Sequence, residues 1–257
     1  MKTEIIEIDW SWDHPTIQEI LLKYYRDWLF NTPEVANDMV ERILSISNIQ
    51  PPCQVLDIGC GLGYHAIAFA QKGFGIYAFD PGDKYLEIAR SLISEENLDV
   101  IIRQMKCSEL SESEKFTLAW AGWYCPGQLS PSEVTQDFRR IYQSLKPEGW
   151  FVSNVAGKPK VPPSEKVRNW RKLSDCFSLS EKWTDETYFH EHCWFVYPKT
   201  NKVIKFAEVE RMYGVQEITP LLSEAGFTDI STASNLKGDT PAQVGKHFAF
   251  WCRKPKA

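Results

Sequence analysis

The chain is poor in the features that would take it out of the ordinary soluble class. It has no apolar run long enough to span a bilayer. It has no C-x-x-C pair among its seven cysteines, so neither a zinc site nor a disulfide framework is indicated, and scattered thiols of odd number suit a reducing compartment. It lacks a basic stripe: net charge is −5, and the one basic-leaning stretch, Lys158 to Lys172, is broken by prolines and Glu165. A nucleic-acid partner is therefore not expected. The first ten residues carry acids where a secretory leader would be apolar, and the expected location is cytoplasmic. Aromatic residues are abundant: ten tryptophans suit either a packed core or a pocket for a flat or cationic ligand.

The most informative stretch is V-L-D-I-G-C-G-L-G, Val55 to Gly63, followed by an apolar helical pattern from His65 to Gly73. This is strand, glycine turn, helix. Glycine permits the tight turn and lets a ligand approach the backbone, and the next helix presents free N–H groups beside it. A dinucleotide fingerprint would need a third glycine where Tyr64 stands, which disfavours a nicotinamide enzyme. A second apolar strand, Gly75 to Asp80, ends in an acid. A carboxylate there can accept hydrogen bonds from both hydroxyls of a ribose, or simply cap the following helix.

These residues resemble the class I methyltransferases that use S-adenosylmethionine, in the branch that acts on small molecules. The resemblance is concentrated at the glycine loop and at R-M-Y-G-V-Q-E-I-T-P-L-L-S-E-A-G-F, and spans about residues 33 to 254. It implies an α/β fold: a Rossmann-like seven-stranded sheet with helices on both faces. Residues 1–50 would be an N-terminal helical lid, or a helix on the sheet edge. Residues 51–157 would form the cofactor-binding core, 158–213 an inserted antiparallel sheet on the substrate side, and 214–257 the last helix and strands.

The resemblance also assigns the cofactor site. Asp57 would orient the cofactor's amino group, with Gly59, Cys60, Gly61, Gly63 and His65 around it. Asp80 and Pro81 would meet the ribose, Cys107 the adenine and Ala121 the end of the fourth core strand. Lys106 stands where the family often has an acid, and Thr117 where it usually has Asp. L-K-P-E-G-W, Leu145 to Trp150, resembles the family's turn into the fifth core strand, with Glu148 in place of glycine.

The acceptor side is read from residue type and position. Trp123 and Tyr124 follow the fourth core strand, at the carboxyl end of an open sheet where ligands lie. Tyr24, Tyr25 and Trp28 share a helical segment in which Asp13 is the expected cap and Pro15 lies in the first turn. Arg211 could hold a carboxylate, or pair with Glu208 or Glu210, and Tyr213 follows it. The proton acceptors considered are His65, Tyr124, His190 and His192; the last two share one face of a strand. No metal is expected. The expected activity is methyl transfer to an amine or hydroxyl of a small aromatic or apolar metabolite, by a monomer or homodimer with no membrane partner. The alternatives are an RNA or protein methyltransferase and a non-catalytic cofactor-binding sensor or partner subunit.

Overall fold

The structure, a computed structural model, describes residues 3–122, 129–155, 165–238, 240–242 and 247–256, with the backbone alone at Asp27 and Trp28. In chain order the elements are β1 (Glu4–Asp9), α1 (Pro15–Tyr24), α2 (Arg26–Leu29), α3 (Pro33–Ser47), β2 (Gln54–Ile58), α4 (Tyr64–Gln71), β3 (Gly75–Asp80), α5 (Asp83–Glu95), β4 (Val100–Gln104) and β5 (Phe116–Ala121). Then follow α6 (Pro131–Ser144), β6 (Leu145–Val155), β7 (Val167–Lys172), β8 (Phe177–Thr184), β9 (Tyr188–Tyr197), β10 (Lys202–Arg211), α7 (Val215–Ala225), β11 (Thr228–Ala233) and β12 (Phe248–Arg253).

Seven strands form the core sheet in the order β11-β12-β6-β5-β2-β3-β4. The pairs within β6-β5-β2-β3-β4 are parallel, while β12 runs antiparallel to both β6 and β11. Strands buried on both faces need continuous apolar sequence, which V-L-D-I and F-T-L-A-W-A supply. On one face Leu56, Phe79, Phe151 and Phe250 pack with Phe138 of α6 and Leu222 of α7. On the other, Val55, Leu118 and Trp120 pack with Val40 of α3 and Phe69 of α4.

Local signals set the helix ends. Thr32 accepts the N–H of Val35 at the start of α3, with Pro33 as its first residue. Ser130 and Glu133 form a reciprocal cap on α6. Helix α7 stops at Gly226, φ +106°. Glu148 sits at φ +65° with its N–H on Lys254 O, which explains the family's preference for glycine there. The left-handed region costs a side-chain-bearing residue about 1–2 kcal/mol.

The second sheet has the order β1-β10-β9-β8-β7. Strands β7 to β10 are antiparallel, as expected of the insertion, but β1 adds parallel to β10. The N-terminal region is thus not wholly helical. The cap of α1 also differs from expectation. His14 Nδ1 accepts the N–H of Thr16, while Asp13 pairs with Lys106 at 2.8 Å. Alternation divides the second sheet into two faces. Ile8, Phe195, Ile204 and Phe206 form the inner face and pack against Ile17, Ile20 and Leu21 of α1. Helix α1 is tied in turn to the core: Gln18 Oε1 accepts the N–H of Lys84, and Glu19 pairs with the Lys84 ammonium.

The Phe195 ring is 1% exposed and packs on Tyr24, Tyr25 and Phe206. Phe195→Ala should lower unfolding stability by about 3–5 kcal/mol, read by urea denaturation.

Candidate active site

The turn after β2 is built by three glycines in the left-handed region: Gly59 at φ +66°, Gly61 at +51° and Gly63 at +79°. They do different work. A Cβ on Gly59 would meet nothing within 4 Å, so the loop surface there is open to a ligand. A Cβ on Gly61 would lie 3.0 Å from the Phe30 ring, and one on Gly63 would lie 3.1 Å from Ala89 Cβ on α5. Gly63 therefore serves helix packing as well as the turn.

Asp80 ties this loop to the end of β3. One carboxylate oxygen accepts the N–H of Gly61 at 2.9 Å and the other that of Gly82 at 2.8 Å. The loop is further held by Cys60 N–H on Phe79 O at 3.0 Å. Asp57 is 1% exposed, and its Oδ2 has no partner. Both acids lie above the ordinary carboxylate range. Asp57 is pushed up to about 7, mainly by burial and then by the charge of Asp80, while the N–H of Ala66 pulls it down. Asp80 is pushed up to about 6 by burial, against the pull of the Gly82 and Gly61 N–H groups.

Further orphaned polar atoms gather around the same loop. Among the described residues, eight buried side-chain nitrogens and oxygens lack a hydrogen bond. Asp57 Oδ2, His65 Nε2, Trp120 Nε1, Tyr85 Oη and Gln18 Nε2 are five of them. Trp120 is the β5 neighbour of Asp57, and its ring meets that of His65 edge-on at 5.4 Å. Tyr85 packs on Phe30 at 4.8 Å and feels the charge of Asp80. A buried polar group without a partner costs about 1–3 kcal/mol, so their concentration marks a place where a polar ligand completes the bonding. S-adenosylmethionine fits this place: the free Asp57 oxygen suits its ammonium, and the open surface at Gly59 admits its chain.

The other expected cofactor residues fall around this centre. Cys60 is buried and Ala121 is fully buried. Pro81 receives Gln104 Nε2 at its carbonyl. The Cys107 thiol is held protonated by burial and by nearby Asp137. Burial pushes His65 down to about 4, so its imidazole is neutral near physiological pH. Phe30, Tyr85, Trp120 and Gln18 were not expected from the sequence. They lie outside the motif, and only the packing of α1, α2 and α5 brings them to it.

Several residues expected on the acceptor side have partners of their own. Tyr24 hydrogen-bonds Asp175 at 2.5 Å and Tyr25 meets Ser178 Oγ at 3.2 Å, so both hold α1 on the inserted sheet. Tyr213 is 1% exposed and donates to Leu129 O in the core. Arg211 pairs with Glu217 of α7 at 3.1 Å, rather than with Glu208 or Glu210. His190 and His192 share a face with Trp183, opposite to the face that α1 covers. His190 is stacked on Trp183 and bonded to Asp185 at 2.9 Å. Trp123, Tyr124 and the side chain of Trp28 lie outside the described residues, as does the proline-rich link expected over 159–164.

The inner face of the inserted sheet carries acids instead. Glu208 stands directly opposite Glu191 and two residues from Glu210, on the same face as Phe206. Glu191 is paired with Lys182 at 2.8 Å. Burial, then the charges of Glu210 and Glu191, pushes Glu208 up to about 9; Glu210 is raised mainly by burial. Beyond this row β10 leads to Tyr213, which is buried in the core and donates to Leu129 O.

The raised acids link stability to pH. A buried carboxyl with a raised folded value favours folding while protonated, and that contribution is lost as pH rises through the folded value. Asp57→Asn should therefore raise the melting temperature of the ligand-free protein at about pH 8, with the gain shrinking toward about pH 4. Calorimetry on the same variant should show weaker S-adenosylmethionine binding. A melting temperature equal to wild type at both values would remove this account of Asp57.

Comparison with known proteins points to the same segment of the chain. Residues 55–149, which include the glycine loop and both acids, match the family described as a methyltransferase domain. A Geobacillus sp. (strain WCH70) protein named "Putative methyltransferase" is 26% identical over 245 residues, covering 90% of this chain and 97% of its own length. An S-adenosylmethionine-dependent methyltransferase from Clostridium acetobutylicum ATCC 824 superposes with TM-score 0.74 at 15% identity, covering 93% of this chain and 98% of that one. The sugar N-methyltransferase KedS8 from Streptoalloteichus sp. ATCC 53650 gives TM-score 0.66 at 13% identity, covering 90% and 91%. The structural likenesses speak for the fold, and the family match falls on the segment that builds the site, which is similar to a methyltransferase domain.

Proposed function

We propose that the protein methylates an amine of a small metabolite, held between the carboxyl ends of the core strands and the inner face of the inserted sheet. The observation that carries this reading is the row Glu191, Glu208 and Glu210. Like charges placed opposite each other on a sheet are destabilising. Here they are half-buried as well, and a cation would relieve both penalties. An ammonium supplies that cation, and a hydroxyl does not. The fold shared with a protein named a sugar N-methyltransferase supports the same reading.

S-adenosylmethionine supplies an electrophilic methyl group on a positively charged sulfur. In this reading Asp80 binds the ribose hydroxyls while keeping its two backbone bonds, since each carboxylate oxygen has a second lone pair. Asp57 receives the ammonium of the methionine part. His65, neutral, and Trp120 line the floor beside Asp57. An amine must lose a proton before its lone pair can attack, and a Glu208 carboxylate oxygen takes it. Burial raises Glu208 to about 9, so it keeps its proton until an ammonium beside it favours the carboxylate, and the ionised group is then a stronger base than an ordinary carboxylate. Helix α1, clamped between the inner face and α5, excludes water and limits the acceptor's freedom.

The test uses S-adenosylmethionine with a labelled methyl group, offered with paired small amines and their hydroxyl analogues. Label should pass to amines. Glu208→Gln should lower kcat/KM for the amine by about tenfold or more, equivalent to 1.4 kcal/mol, with cofactor affinity unchanged. Transfer to the hydroxyl analogues at equal rate, or a variant as active as wild type, would reject the amine reading.

A further inference from the structure

The outer face of the inserted sheet is left bare. Among the described residues eight large hydrophobic side chains are exposed, and Ile5, Trp170, Leu179, Tyr188 and Val209 of this one face are five of them. Trp170 is 70% exposed and Ile5 64%. Strand register makes the patch continuous. Lys205, Trp194, Leu179 and Trp170 lie side by side across β10, β9, β8 and β7, and the next row joins Ile5, Val203, Val196 and Phe177. Monomeric proteins rarely expose a contiguous apolar surface of more than a few hundred Å2.

We propose that this face is the interface of a homodimer, packed against the same face of a second copy about a two-fold axis. Three features select that occupant. The first is charge. Most ionic groups of the face are paired within it: Glu7 with Lys205 at 2.8 Å, Glu181 with Lys166 at 3.2 Å and with Arg168 at 2.9 Å, and Asp185 with His190 at 2.9 Å, while Asp9 and Lys172 add one charge of each sign. A two-fold contact lays a patch on its own copy, so a patch neutral in itself meets no repulsion. An anionic membrane or a nucleic acid would call for surplus positive charge.

The second feature is area. Five strands of six to ten residues make a face of about 24 Å by 25 Å, or roughly 600 Å2, from ordinary strand spacing and rise. That approaches the ~800 Å2 each partner contributes to a stable interface of standard size. The third feature is the edge. The two edge strands, β1 and β7, read E-I-I-E-I-D and V-R-N-W-R-K, and charged side chains on both disfavour further strand pairing. Association is thereby directed to the face, not to sheet extension. The cofactor site lies on the other side of α1 and stays accessible.

The test is light scattering behind size exclusion on the full chain. Wild type should have twice the 29.7 kDa of the chain. Trp170→Glu combined with Leu179→Glu should halve that mass while cofactor binding by calorimetry stays unchanged. Val35→Glu, at an exposed apolar position on α3, should remain dimeric. Hydroxyl-radical footprinting of wild type needs no variant: Trp170 and Trp194 should become protected as concentration rises. A wild type of single-chain mass at its highest soluble concentration overturns the proposal. So does a dimer in which these indoles stay reactive, or a monomer that sediments with phospholipid vesicles.

Discussion

The carboxylate of Asp80 is the joint on which the binding end of the molecule depends. It gathers two backbone N–H groups, Gly61 in the glycine loop and Gly82 at the start of α5, from segments 21 residues apart in the chain. The loop has three residues in the left-handed region and little regular structure of its own. The joint sets the distance between the ends of β2 and β3, and so the width of the floor beneath a ligand. Its cost is a buried charge beside another buried acid, Asp57. Such a site is tolerated because ligand binding supplies what folding leaves unpaired, and the functional end of the sheet is accordingly its least satisfied part.

The second sheet and α1 give that floor a roof. The roof is held from both sides: by aromatic packing of α1 on Phe195 and Phe206, and by bonds from Gln18 and Glu19 to the first turn of α5. Its polarity is graded along β10. Ile204 and Phe206 are buried under α1, and two residues farther the same face turns acidic at Glu208 and Glu210. An apolar clamp followed by a half-buried row of glutamates anchors a covering element and sets polar groups beside it.

The sequence revealed most where backbone geometry restricts the choice of residue. Gly59, Gly61 and Gly63 announce the loop because a side chain is strained at each of their φ values. Strand β3 was readable to the residue because burial on both faces demands an unbroken apolar run. Faces were harder. Period-two alternation shows that His190 and His192 point the same way, but which way depends on where α1 lands. Tyr24, Tyr25 and Tyr213 look like pocket residues in a sequence, since an aromatic ring with a hydroxyl serves a pocket or a core equally well. Phe30, Trp120 and Tyr85 carry no local signal, because they reach the loop only through tertiary packing. Strand β1 escaped notice for a related reason: its E-I-I-E-I-D acquires meaning only beside β10.

That pairing also bears on how the protein is made. Glu4 lies against Lys202 and Asp9 against Ala207, so β1 must wait for a segment made much later in the chain. Contacts between such distant parts of a chain form slowly, because a long loop must close before the bond repays it. Until then Ile6 and Ile8 have no strand to join, and the nascent chain exposes an unpaired β-forming segment. The core strands up to β6 can condense before β10 is made, whereas the roof is finished only after it.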